Sequence, residues 1–166
     1  THGHIDHAGG ALAAKGTIDL DYTGRGWDTV PILGPDERDR FLLDGIEEQA
    51  AQMGFHGLRN VTPDRFLTEG EKIETIGLTF EVLHCPGHSP GHIVFVEKTL
   101  RLAFVGDVIM RGTVGRTDFA YGDSAALIAA IKDKLLPLGE DISFICGHGE
   151  GSTFGVERQR NPFLQG

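Results

Sequence analysis

The sequence has little cysteine, no long apolar run and few positive charges. Cys85 and Cys146 are its two cysteines, too few for a disulfide framework and typical of a reducing compartment, which predicts a cytoplasmic protein. No apolar run reaches the length that crosses a bilayer, so we expect no membrane partner. Lys and Arg number 15 against 24 Asp and Glu, and the net charge of −9 disfavours a nucleic-acid partner.

The sequence also contains no internal repeat, low-complexity tract or linker. A chain of 166 residues is long enough to bury one proper core. We therefore expect residues 1–166 to form a single domain. Glycine, by contrast, is abundant at 24 residues and predicts many tight turns.

Helices are indicated in three places. A short helix is expected over 8–15, followed by a polar, loop-like stretch over 16–30 with room for a short hairpin. A second helix is predicted to begin with Pro35 at its first position and to end at Gly54. A third is predicted over 125–135, capped by Ser124.

Strands are indicated where apolar residues alternate between turn signals. One hairpin is expected to end in a buried strand at 79–84, and a second should pair 92–97 with 101–106. A last apolar strand begins at Ile142. Paired strands separated by helices predict an α/β fold with mixed sheets covered by helices.

Chemistry-bearing residues crowd into the opening stretch "THGHIDH". In an extended segment His2, His4 and Asp6 point to one side, and His7 points elsewhere once the chain turns. Imidazole and carboxylate are ligands of zinc and of other borderline divalent metals. A polar tail or tag remnant would also be rich in histidine, but a tag is a plain histidine run. The alternating order therefore favours a metal site.

Three later apolar strands each run into a polar loop that contains glycine. "VLHC" leads to "PGHSPGH", "LAFV" to "GD", and "ISFIC" to "GHG", which places His88, Asp107 and His148 just past strand ends. Each residue alone is as often an ordinary turn residue. Together with the opening stretch they make four motifs in order, which favours a functional site on a rigid scaffold.

These four motifs resemble the successive metal motifs of the metallo-β-lactamase fold, across essentially the whole chain. The stretches "DVIMRGTVGRTDFAYGD", "KLLPLGEDISFICGHGEGST" and "ERQRNPFL" resemble the small type of glyoxalase II, or hydroxyacylglutathione hydrolase, that lacks a C-terminal helical domain. The resemblance implies an αββα sandwich. Family members carry a strand layer before the first histidine motif, so we expect the chain to begin inside the domain, with one apolar sheet face uncovered.

The resemblance also implies two divalent metal ions. His2, His4 and His88 would bind one, and Asp6, His7 and His148 the other. Asp107 would bridge both, and Asp6 and Asp107 are the candidate catalytic carboxylates. Zinc is the simplest assignment, with iron or manganese as alternatives.

The implied reaction is hydrolysis of the thioester of an S-acylglutathione, such as S-lactoylglutathione, by a metal-bound hydroxide. The partner is thus a small glutathione conjugate. Arg111 and Arg116 are candidates to receive a glutathione carboxylate through paired hydrogen bonds. An equal alternative is that Arg116 pairs with Asp118 and braces its loop. Tyr121 is a weaker candidate for a substrate contact.

Other histidines and both cysteines have simpler interpretations. No ligand position of the family matches His56, His84 or His92, so we expect their rings to be packed or to face solvent. For His92, a position beside the metal ligands is the alternative. Cys85 and Cys146 lie in or beside apolar strand ends, where buried and unreactive thiols are expected.

Three other functions are compatible with the motifs. Persulfide dioxygenases of the same fold carry similar "GRTDF" loops, and here His2, His88 and Asp107 would hold their single iron. A lactonase or β-lactamase is allowed, although no residue selects for either ring. A purely structural metal site is disfavoured, because structural zinc prefers closed, cysteine-rich shells.

Overall fold

A six-stranded mixed sheet forms the centre of the fold. The computed structural model describes residues 1–24 and 29–165. Its strand order is β1-β2-β3-β4-β7-β8, in which only β4 and β7 pair in parallel. The strands are β1 (Lys72–Thr75), β2 (Leu78–His84), β3 (Ile93–Glu97), β4 (Leu102–Gly106), β7 (Ser143–Cys146) and β8 (Ser152–Thr153), with a separate hairpin of β5 (Ile109–Met110) and β6 (Thr113–Val114).

Helices occupy the connections and both ends of the described chain. They are α1 (Ile5–Ala8), α2 (Ala11–Gly24), α3 (Arg40–Asp44), α4 (Ile46–Gln52), α5 (Ser124–Ala130) and α6 (Phe154–Arg160). Short 3-10 turns cover Glu37–Asp39, Leu136–Leu138 and Pro162–Leu164, and a π-helical turn at Ile131–Leu135 extends α5. Among the helices described, none combines the length and apolarity that a bilayer crossing requires.

The predicted hairpins are confirmed to within one or two residues. The turn between β1 and β2 places Ile76 and Gly77 at φ 49° and 76°, the left-handed geometry that suits a tight two-residue hairpin. β3 and β4 lie at 93–97 and 102–106, one residue inside the predicted limits at their first residues. Period-two alternation with turn residues was sufficient to place these strands.

The loop predicted over 16–30 is wrong for residues 16–24, which continue α2; residues 25–28 lie outside the described chain. Much of this helix is exposed, so its polar sequence is a solvated surface rather than a loop. Two local contacts support the helical backbone. Lys15 pairs with Asp19 at 3.0 Å across one helical turn, and the Thr17 hydroxyl donates to the Ala13 carbonyl at 3.0 Å.

The helix predicted from Pro35 is divided, and Pro35 lies before it. Asp36 caps the first 3-10 turn, accepting from the Arg38 N–H at 3.0 Å. Gly45 then separates α3 from α4, because glycine interrupts a helix at little steric cost. Gly54 follows with φ 78°, which confirms the predicted end.

The cap of α5 is Asp123, not Ser124 as predicted. Its carboxylate accepts from the Ala126 N–H at 2.9 Å. Asp and Ser cap helices about equally well, so the local sequence could not decide between adjacent candidates.

The two faces of the sheet differ in coverage. On one face Leu83, Val94 and Val105 are buried in the main core, together with α5 and α6. On the other, Phe104 and Ile145 pair across β4 and β7 yet stay 36% and 50% exposed. Val82 and Ile93 on this same face are buried with Leu67, so the second face is partly covered rather than bare.

Candidate active site

Sheet topology brings three of the sequence motifs to one edge. β2, β4 and β7 run in the same direction, so the segments that follow them emerge side by side. These segments carry His88, Asp107 and His148. The opening segment joins this edge through the Thr1 carbonyl, which accepts from the Ile93 N–H at 2.9 Å.

A first cluster consists of His2, His4 and His88. The His4 Nδ1 atom lies 3.0 Å from both His2 Nε2 and His88 Nε2. His2 and His88 are buried, and His4 is half-buried. Three imidazole nitrogens thus converge on one point, as a shared cation would require.

A second cluster consists of Asp6, His7 and His148. His148 Nε2 lies 3.1 Å from Asp6 Oδ2 and 3.3 Å from His7 Nε2. The imidazole of His7 is 3.6 Å from the Asp6 carboxylate. This cluster is more exposed than the first, with His148 and Asp6 each about half accessible.

Asp107 lies between the clusters. Its Oδ2 atom is 3.5 Å from His88 Nε2 and 3.4 Å from His148 Nε2, and its Oδ1 atom is 3.4 Å from His7 Nε2. The structure therefore brings every predicted ligand together.

The residues present fit divalent cations. Asp107 Oδ1 is buried without a hydrogen-bond partner among the described residues, which is costly unless a further group neutralises it. A Cβ atom at Gly147 would overlap that oxygen, so glycine there keeps the space beside it open.

Burial and crowding keep the imidazoles of His2 and His4 neutral. Desolvation lowers the pKa of His4 to about 4, with His88 adding to the effect. The pKa of His2 is lowered further, by burial and then by its four histidine neighbours. Neutral imidazoles offer the lone pairs that a metal needs.

The Asp107 carboxylate is favoured in its ionised form. Burial acts to raise its pKa, but the His7 imidazole, 3.4 Å from Oδ1, together with His88 and His148 holds that pKa below its ordinary value. Imidazole nitrogen and carboxylate oxygen are donors that suit zinc, iron or manganese.

Asp39 connects the two loops that supply the first cluster, a role that the sequence did not signal. It is fully buried. Its Oδ2 accepts from the Gly3 N–H at 2.9 Å and from the Ser89 hydroxyl at 2.7 Å, and its Oδ1 accepts from the Gly91 N–H at 2.5 Å. In the sequence it is one charge in the run "DERDR", which looks like an exposed helix start.

The remaining histidines lie outside both clusters. His92 is fully buried, stacks on His2 at 4.6 Å and accepts from the Asp107 N–H at 3.0 Å. It therefore orients the Asp107 backbone. His84 donates to the Pro90 carbonyl at 2.8 Å, and His56 is exposed.

The cysteines only partly match the prediction. Cys85 is buried, and desolvation raises the pKa of its thiol to about 12. Cys146 is only partly buried at the end of β7, where it packs against the main core.

A cavity of about 570 Å³ adjoins both clusters and is of a size typical for small-molecule sites. Its lining has an apolar part, formed by Ile5, Met53, Met110 and Val114, and an aromatic and cationic part, formed by Arg116, Phe119 and Tyr121.

The two candidate arginines are placed differently. Arg116 lines the cavity, pairs with Asp118 at 2.7 and 2.8 Å, and lies 4.6 Å above the Phe119 ring. Arg111 pairs with Glu150 instead and is not among the residues that line this cavity. Position in the sequence did not distinguish them, because both lie on the same loop.

Known proteins resemble the chain in sequence and in structure. A family model described as the metallo-β-lactamase superfamily matches residues 1–148. Hydroxyacylglutathione hydrolase GloC of Haemophilus influenzae is 45% identical over 165 residues, which cover 99% of this chain and 73% of that protein.

Two crystal structures extend the comparison. The structure of TTHA1623 in a di-iron-bound form matches this chain with a TM-score of 0.81 and 36% sequence identity. The BLEG-1 B3 metallo-β-lactamase matches it with a TM-score of 0.79 and 32% identity. Each match covers 99% of this chain and 75% of the other. The chain therefore belongs to the metallo-β-lactamase superfamily, and it is a hydrolase of that superfamily.

Proposed function

We propose that this protein hydrolyses the thioester of an S-acylglutathione, most simply S-lactoylglutathione, with two divalent metal ions. The observation that carries the proposal is the pair of donor clusters joined by Asp107 at the base of one cavity. The similarity to a protein named hydroxyacylglutathione hydrolase supports the same substrate class.

The first cluster would hold one ion and the second cluster the other, with Asp107 shared. When bound, such ions lower the pKa of water towards neutrality and polarise a carbonyl group, so no protein nucleophile is needed. Zinc is the simplest assignment. Iron fits the same donors, and a relative is described in a di-iron-bound form.

The cavity walls would bind and orient the substrate. A glutathione carboxylate would bind the Arg116 guanidinium, which can donate two parallel hydrogen bonds to it. The existing pair with Asp118 is no obstacle, because both side chains are well exposed and solvent screens the attraction between such surface charges. The apolar wall would contact the acyl group and exclude water from it.

The reaction assigns different tasks to the two carboxylates. Asp107 is largely buried and held ionised between the clusters, so it would screen the repulsion between two cations. Asp6 is half exposed and faces the cavity, where its charge would help to hold the second ion. We place the enzyme in the cytoplasm, and we treat residues 1–166 as one catalytic domain.

The direct test is loss of the S-lactoylglutathione thioester by the full-length, metal-loaded protein. We expect turnover that a chelator abolishes and added zinc restores. Arg116→Met should raise KM more than it lowers kcat, whereas Arg111→Met, which changes a residue outside the cavity lining, serves as the matched control.

Two parallel assays distinguish the rival activities. Oxygen uptake with glutathione persulfide would indicate the dioxygenase, and opening of a β-lactam ring would indicate a lactamase. A folded, metal-loaded protein that performs either reaction but leaves the thioester intact would overturn the proposal.

A further inference from the structure

Tyr121 contacts the first cluster from the cavity side. Its hydroxyl oxygen lies 2.8 Å from His4 Nε2. The other nitrogen of the same ring, Nδ1, is the atom 3.0 Å from His2 Nε2 and His88 Nε2. One side of the His4 ring therefore faces the cluster and the other faces Tyr121.

This geometry determines which nitrogen of His4 carries the proton. A neutral imidazole has one N–H and one lone pair, and the nitrogen that faces the cluster must supply the lone pair to a cation. The proton is then on Nε2 and is donated to the Tyr121 oxygen. His88 is held in the same way by a different group, because its Nδ1 donates to the Arg116 carbonyl at 2.8 Å.

The Tyr121 ring is held independently of its hydroxyl group. It stacks on Phe119 with centroids 5.2 Å apart and an interplanar angle of 12°. Phe41 packs against it edge-on at 5.2 Å. Removing the oxygen alone should therefore leave the ring in place, which makes the hydroxyl group testable by itself.

We propose that Tyr121 is a positioning residue that fixes the tautomer and ring orientation of His4 and keeps its own O–H available to a substrate oxygen. The inference rests on the proposed role of His4 as a metal ligand. The hydroxyl is half-buried and lines the cavity.

The test is Tyr121→Phe in the metal-loaded enzyme. Loss of a partner that orients a metal-bound histidine typically costs about 10–100-fold in metal affinity, and we expect a loss in that range by chelator competition. In the cobalt-substituted protein, the shifted N–H resonance of His4 should exchange faster with water. The His88 N–H resonance should not change, which gives an internal reference. Because the O–H would also be lost to the substrate, kcat should fall more than KM rises.

A second variant separates the hydrogen bond from the packing. Phe41→Leu removes an aromatic contact with the same ring but leaves the hydroxyl, so metal affinity and the His4 resonance should remain those of the wild type. Unchanged affinity and an unchanged His4 resonance in Tyr121→Phe would overturn the inference. If the metal affinity and the His4 resonance both change in Tyr121→Phe but the wild type lacks thioesterase activity, the proposed substrate is wrong and the role of Tyr121 stands.

Discussion

Replacing Asp39 by asparagine should loosen the two loops that supply the first cluster. The carboxylate accepts three hydrogen bonds, from Gly3, Ser89 and Gly91. Asparagine has nearly the same shape but only one acceptor oxygen. If that oxygen stays with Gly3 and Ser89, the amino group of the side chain faces the Gly91 N–H, donor against donor.

The size of the effect follows from these contacts. A buried donor without an acceptor costs about 1–3 kcal/mol, and the two remaining hydrogen bonds lose the strengthening that a charged acceptor provides. Part of this is offset because a buried charge disappears; burial raises the pKa of Asp39, which shows that its ionised form is costly. We expect a net loss of about 2 kcal/mol in the free energy of unfolding, a sizeable fraction of a typical total of about 5–15 kcal/mol.

Asp36 offers a matched control three residues earlier. It is also buried, but its carboxylate contacts only Arg38 in the described chain, as a local cap. Asparagine caps almost as well as aspartate, so Asp36→Asn should change stability little. Urea unfolding of both variants, with metal content measured on the same samples, makes the comparison. Equal losses in the two variants, or full metal content and stability in Asp39→Asn, would refute the assignment of Asp39 as the connection between the loops.

Four further predictions concern the site and the thiols. Asp107→Ala should abolish turnover and lower metal content at both clusters; retention of two metal ions, measured by elemental analysis, would contradict the bridging role. His56→Ala should leave metal content and rate unchanged, since His56 is exposed and belongs to neither cluster. Gly147→Ala should lower metal content, because the added Cβ would overlap the Asp107 carboxylate. With iodoacetamide at pH 8, Cys146 should react first and Cys85 only after unfolding, because a pKa of about 12 leaves almost no thiolate at Cys85. Mass spectrometry of the labelled peptides measures the order, and labelling of Cys85 before Cys146 would contradict the prediction.

Several features could be predicted because they depend on short-range spacing. The alternation of apolar residues and the turn residues between them placed the β1–β2 and β3–β4 hairpins. The order of histidine and aspartate in "THGHIDH" and at three strand ends indicated the candidate ligands, and their resemblance to the metallo-β-lactamase motifs assigned them to the two clusters. Ligand type is a local chemical property, so it can be read without knowing which strands are neighbours.

Other local predictions failed where the sequence is equally compatible with two structures. Polar residues over 16–24 suit an exposed helix as well as a loop, and α2 is decided by contacts such as Lys15 with Asp19. Arg111 and Arg116 lie on one loop, yet only Arg116 lines the cavity. The pair of Arg116 with Asp118, two residues away, was one of the two predicted alternatives, whereas the partner of Arg111 is Glu150, 39 residues away in the chain.

By itself, the sequence indicated the candidate donor residues of the site and the strands that three of them follow. Only the tertiary structure decided that Asp39 is buried between two loops and that Tyr121 reaches His4 across 117 positions. It also decided that Phe104 and Ile145 remain partly exposed. The physical reason is that burial and long-range hydrogen bonds depend on which surfaces meet in the folded chain, as when Asp39 joins Gly3 to Ser89 and Gly91, and no local pattern specifies those meetings.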